Sequence, residues 1–271
     1  MDTTSSLTTP TAAPTSDTQE EAKTRHADAA RTTPGRDSSE HRSLMRLGAV
    51  AGITGVITQL ALELFLHPSG ANPNDSAAAF NEYATSTSWT AVHLGQFVAF
   101  FLVAIALMAL ATRLRSHGGV AGDLAVIGAL AVAVATAVFA VQMAVDGVAL
   151  KHAVDAWKAA APGAAQEGAF LVADTVRSIE KALSAVFHLS NGAALVALGG
   201  AMAAARRRPW LGWVGAVAGV GFIVASWVTA HTGFSSQAGT ILLPTGVLAL
   251  IFIVAVSASM GSGVRRAATQ P

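Results

Sequence analysis

Six runs of about twenty mostly apolar residues constrain this chain more than anything else in it, because each is long enough to cross a bilayer as a helix. They extend over approximately Leu47–Leu66, Ala91–Ala111, Val120–Val148, Ala182–Ala205, Leu211–Thr232 and Gly239–Met260. In hydrocarbon a backbone must satisfy its own hydrogen bonds, so each run has to be helical. The expected fold is therefore all-α, a six-helix transmembrane bundle in contact with lipid. Composition agrees: 12% of the residues are charged, about half the share in a soluble domain. The net charge of +1 offers no bulk field for nucleic acid. Absence of cysteine excludes disulfides, thiolate metal sites and thiol catalysis.

Residues 1–43 read differently. They are rich in Thr, Ser, Ala, Asp and Pro and show no apolar period, so they are expected to be a disordered cytoplasmic tail. No basic start, apolar core and small-residue cleavage site marks a secretory signal. Residues 44–261 make the expected membrane domain, and 262–271 a cytoplasmic C-terminal tail.

The basic residues beside the runs give an orientation. Arg42 and Arg46 precede the first run, Arg113 and Arg115 follow the second, Arg206, Arg207 and Arg208 follow the fourth, and Arg265 and Arg266 follow the sixth. The segments His67–Thr90 and His231–Ala238 have no Lys or Arg. Both ends are thus expected in the cytoplasm of a cell, in what reads as a bacterial plasma membrane. Trp210, Trp213 and Trp227 sit near the two ends of run five, as interfacial anchors do. Between runs three and four, Lys151, Asp155, Asp174, Arg177, Glu180 and Lys181 mix both signs at helical spacing. This predicts an extracytoplasmic helical hairpin with charged surface, turning near Pro162-Gly163. A short helix is expected from Ser76 to about Tyr83, and Asp123 is expected to cap the third span. Gly48 with Gly52 and Gly215 with Gly219 are spaced to let helices approach closely.

The ionisable residues inside the runs gather toward the other, outer side. Gln59, Glu63 and His67 share a face of span one, and His93 and Gln96 open span two. Gln142 and Asp146 are four apart in span three, and Glu180, Ser184, His188 and Asn191 share a face of span four. His67, His93, His152, His188 and His231, five of the eight histidines, fall on this side. Such groups are costly in lipid and should face the bundle interior or a wet hollow. The bland alternative for Asp146 is a pairing with a hairpin lysine or a histidine, and for Glu63 a hydrogen bond between helices. The candidate ligand-binding set is Glu63, His93, Gln96, Gln142, Asp146 and His188. His93, Asp146 and His188 are also the candidates for a metal such as zinc, although no H-E-x-x-H spacing is present. His93 and His188 are the candidate axial pair for haem.

The stretches HPSGANPNDSAAAFNEYATSTSWTAVHLGQF (His67–Phe97) and VDGVALKHAVDAW (Val145–Trp157) resemble a group of six-span actinobacterial membrane proteins that carry only a domain-of-unknown-function label. The similarity extends over about Arg46 to Met260, and it includes His67, His93, Gln96 and Asp146. It implies a topology and no activity. The leading expectation is a non-catalytic membrane protein with an outward-facing polar pocket for a small ligand or lipid. Its alternative is a metal- or haem-dependent membrane enzyme using the same side chains.

Overall fold

A computed structural model describes residues 34–68, 70–206 and 208–268, with side chains from Ser39 to Ser262. The chain divides between Ser43 and Leu44. Of the first unit only residues 34–43 are described, and these are helical where a disordered tail was expected; the rest of that expected tail lies outside the described residues. The helices are α1 (Pro34–Phe65), α2 (Ser76–Thr85), α3 (Trp89–Arg115), α4 (Gly119–Ala144), α5 (Lys151–Ala159), α6 (Ala164–Ala204), α7 (Pro209–Thr232) and α8 (Ser236–Ala268). A π-helical segment, Val145–Leu150, joins α4 to α5. No strand occurs among the described residues.

Six helical stretches are long and apolar enough to span a membrane, the third being α4 through α5. The protein is a multi-pass integral membrane protein. Its outer faces confirm the solvent they require: Val50, Ile57, Leu130, Trp213, Trp227 and Leu243 are each more than half exposed. A soluble protein would aggregate through such a surface, whereas lipid accepts it.

Inside, small residues replace large ones where backbones meet. A methyl group added at Gly192 would lie 2.6 Å from the Gly219 carbonyl oxygen, and one at Gly219 would lie 2.6 Å from the Gly192 oxygen. Gly199 and Gly212 face each other in the same way one step along. These pairs hold α6 against α7. Gly48 and Gly52 bring α1 onto Ala109 and Ala106 of α3 and onto Met260 and Ser257 of α8. Gly215 admits the ring of Phe252 between α7 and α8. In lipid, where apolar burial gives little drive, such close approach supplies the packing.

The third and fourth spanning stretches are each 41 residues long and extend beyond the others as a hairpin that turns through 160–163. Pro162 and Gly163 break the helix there as expected, and Gly163 has φ of 98°. The expected short helix is α2, two residues longer at its end, and Asp75 caps it by accepting from the Ala78 amide at 3.0 Å. Phe80 and Tyr83 of α2 pack with Leu150, Val154, Ala173, Trp157 and Phe170, forming a second small core beside the hairpin. Asp123 does not cap α4. The helix starts earlier, at Gly119, because Gly118 and Gly119 take positive φ and complete the turn ahead of it.

Candidate functional site

A cavity of about 470 Å³ opens at the hairpin end of the bundle. Six helices meet around it: α1 gives Gln59 and Glu63, α2 gives Glu82 and Tyr83, α3 gives Trp89, His93 and Gln96, α4 with the π segment gives Gln142 and Asp146, α6 gives Arg177, Glu180, Ser184 and His188, and α8 gives Leu242. Glu63, His93, Gln96, Gln142, Asp146 and His188 therefore share one hollow. His67 joins them from the loop after α1, whereas His152 and His231 are exposed and lie outside it.

The π segment explains how Asp146 reaches inward. A π turn is wider than an α turn and leaves carbonyls free of the usual ladder. Here the Asp146 carbonyl accepts from the Trp89 indole at 2.9 Å, and the Gly147 carbonyl accepts from the Thr90 hydroxyl at 2.7 Å. The start of α3 thus clamps the widened turn. Gly147 is needed for this approach, since a Cβ there would lie 2.5 Å from that of His93. The Asp146 carboxylate then meets His93 Nε2 at 3.1 Å.

His93 is held at both ring nitrogens. Nδ1 lies 2.7 Å from the Trp89 carbonyl, which can only accept, so Nδ1 carries a proton. The Nε2–Oδ2 contact to Asp146 holds the second ring nitrogen. Both ring nitrogens are thus engaged within the chain. His188 sits apart, stacked on Phe222 with ring centres 5.7 Å apart. Among the described residues no three of His, Cys, Asp and Glu group as metal ligands. His93, Asp146 and His188 line the same cavity, but they are not among any group of three metal-ligating side chains in the described residues.

Two further contacts tie the walls together. Gln96 Nε2 donates to Glu63 Oε2 at 2.9 Å, joining α3 to α1. Arg177 donates to Glu180 one turn away on α6, and to the Pro73 carbonyl at 3.4 Å. Its guanidinium lies 5.3 Å from the Tyr83 ring centre and 4.9 Å from that of Phe234. Arg177 and Glu180 are only 3% and 2% exposed, so the expected charged helix surface is wrong at this pair. Lys151 and Asp155 do form a surface pair. The signal for Arg177 was available: it precedes Glu180 by three positions and shares the helix face that carries Ser184 and His188.

Tyr83, on α2 outside the spanning stretches, is 6% exposed. Burial pushes its hydroxyl pKa well above the usual value, and the Arg177 charge offsets this only in part. A raised acid pKa means that stability is intact below the unfolded value near 10 and is lost as pH climbs through the folded value. The chain has one tyrosine, so the tyrosinate absorbance band reports Tyr83 alone. In folded protein that band is expected to stay absent at pH 10 and to appear on denaturation; half-development at pH 10 in the folded state would contradict the burial.

Of the buried side-chain polar atoms without a partner among the described residues, Gln59 Oε1, His67 Nδ1, Gln142 Oε1, Asp146 Oδ1, Arg177 Nε and His188 Nδ1 belong to residues that line the cavity; the remaining ones are Thr229 Oγ1 and Ser257 Oγ. Buried polar atoms normally find partners. Their concentration around one hollow makes it the candidate site. No family model, curated protein or solved structure matches the chain.

Proposed function

We propose that this protein binds a small ligand in the cavity at the hairpin end, and that this end faces the outside of the cell membrane. The unpartnered polar atoms around a hollow of about 470 Å³ carry the reading. That volume lies within the range of small-molecule pockets, roughly 300–1,000 Å³. Phe139, Met143 and Leu242 add apolar wall beside the polar groups, the mixture typical of such sites. The orientation is supported by the basic residues at the opposite ends of the spans, which favour the cytoplasm. The occupied ring nitrogens of His93 favour binding over metal or haem catalysis.

The chain's lack of cysteine allows a direct test. Ser184→Cys places a thiol in the cavity wall and is expected to react in intact cells with a small membrane-impermeant thiosulfonate. Reaction only after the cells are opened would reverse the orientation. Native mass spectrometry of protein released from nanodiscs is expected to show a bound small molecule on the wild type. The double variant Gln59→Leu/Gln142→Leu should lack it while keeping its helical circular dichroism. Saturating ligand at a hundred times its Kd should add about 2.7 kcal/mol of stability to the wild type alone. Identical bound mass and stability in both proteins would remove the proposal.

A further inference from the structure

The charges and hydrogen-bonding atoms of the cavity narrow the ligand to a chemical class. Four carboxylates line it, those of Glu63, Glu82, Asp146 and Glu180, against one guanidinium, Arg177. Arg177 is already paired with Glu180, and His93 with Asp146. Glu82 accepts from the Gly70 and Ala71 amides at 2.8 and 2.9 Å. Glu63 forms no ion pair among the described residues: it accepts from the neutral amide of Gln96, and the ionisable group near enough to feel its charge is His93, which Asp146 already holds. The cavity therefore keeps an excess of negative charge, with Glu63 as the carboxylate that forms no ion pair of its own among the described residues.

The unpartnered atoms supply an independent observation. Gln142 and Asp146 are each 7% exposed, and Gln142 Oε1 and Asp146 Oδ1 are oxygens that accept and lack a hydrogen-bond partner, although the Asp146 carboxylate also interacts with that of Glu180. Gln59 adds a third such oxygen. A ligand that satisfies them must donate several hydrogen bonds. The one free donor that Arg177 offers, Nε, sits beside Glu180 in a site crowded with carboxylates, which opposes an anion. A bare inorganic ion would leave most of about 470 Å³ unfilled, whereas Phe139 and Met143 give an organic body something to contact.

We infer that the cavity takes a small organic molecule bearing a primary or secondary ammonium group, with Glu63 as its counter-ion and the oxygens of Gln59, Gln142 and Asp146 as acceptors for its N–H groups. This rests on the ligand-binding reading above and names the class of its ligand. A quaternary ammonium has no N–H and fits less well. The same ammonium chemistry could arrive as a free amine or as the headgroup of an aminophospholipid.

The test uses the full chain in nanodiscs of phosphatidylcholine, titrated calorimetrically with 2-phenylethylamine, its trimethylated form, 2-phenylethanol and phenylacetate. The primary amine is expected to bind, and the trimethylated, neutral and anionic probes to bind at least tenfold more weakly. A hydrogen bond to a charged group contributes roughly 1.5–3 kcal/mol, so Glu63→Gln should weaken the amine by about tenfold to a hundredfold. Gln59→Glu adds a carboxylate and should tighten it, which keeps the test decisive if Glu63→Gln folds poorly. A second arm adds phosphatidylethanolamine to the discs. Competition between that lipid and the soluble amine assigns the site to a headgroup, and indifference assigns it to free amines. Alcohol or carboxylate binding as tightly as amine, or amine binding unchanged in both variants, overturns the ammonium assignment and leaves the cavity a ligand site of another class. Absence of amine binding in both arms also overturns it, and if Ser184→Cys is unreactive as well, the ligand-binding reading falls with it.

Discussion

Arg177→Ala is expected to destabilise the protein by about 3–5 kcal/mol, the cost of removing one partner from a buried ion pair. The side chain is 3% exposed and its partner Glu180 2%. Without the guanidinium, the Glu180 carboxylate is left beside that of Asp146, with which it interacts in the intact site. The same substitution removes the cation between the rings of Tyr83 and Phe234 and the donor to the Pro73 carbonyl. Several loops at the hairpin end therefore lose their common anchor. A loss this large is a substantial share of a typical total stability of about 5–15 kcal/mol, and should appear as poor recovery from the membrane and a lower unfolding midpoint in detergent. The double variant Arg177→Ala/Glu180→Gln removes both charges and should recover part of the loss. Arg177→Lys keeps the charge but not the fork that reaches two acceptors, and should fall between. Should Arg177→Ala unfold within about 1 kcal/mol of wild type, the buried pair is wrongly placed.

The glycine contact between α6 and α7 is the second position of large effect. Gly192→Ala or Gly219→Ala would set a methyl group 2.6 Å from a backbone oxygen of the facing helix. A backbone cannot swing aside as a long side chain can, so the helices must separate. Overpacking of this kind costs about 1–3 kcal/mol. Because the two glycines press on each other's carbonyls, the double variant should cost less than the sum of the singles. Gly246→Ala on α8 is the matched control. Nothing lies within 4 Å of a methyl group added there, and exchanging glycine for alanine in a helix stabilises by roughly 0.5–1 kcal/mol. Thermal unfolding in one detergent ranks the variants, and equal midpoints for Gly192→Ala and Gly246→Ala would refute the close approach.

How much of this could be read beforehand follows from what each residue costs in lipid. Hydropathy alone locates the six spans, since water and hydrocarbon differ so sharply as solvents for a helix. Glu63, Gln96, Gln142, Asp146 and His188 stood out for the same reason, and their common cavity follows from having nowhere else to go. Arg177 was misread as hairpin surface, and Glu180 was read both as that surface and as part of the inward polar face. Opposite charges three apart look alike on a wet face and in a buried pair, and the groups that cover this one, Pro73, Tyr83 and Phe234, are distant in sequence. The π segment left no trace, because six residues, Val145–Leu150, are too few to shift an apolar period visibly. The double restraint on His93 was equally hidden, since it depends on a main-chain oxygen, that of Trp89. Residue types advertise ligands, but a backbone carbonyl that occupies one is silent in the sequence.

The widened turn at Val145–Leu150 amounts to one residue slipped into an otherwise regular coil. It advances everything beyond it by about a hundred degrees of rotation, one residue's share of an α-helix of 3.6 residues per turn. The membrane portion and the projecting portion of this long rod thus run on separate angular phases. Gly119–Ala144 can keep its stripe aligned with lipid and with α6, while Leu150 and Val154 are turned to meet Phe80 beneath α2. Either half can drift in sequence without dragging the other's azimuth with it, provided the slipped residue stays.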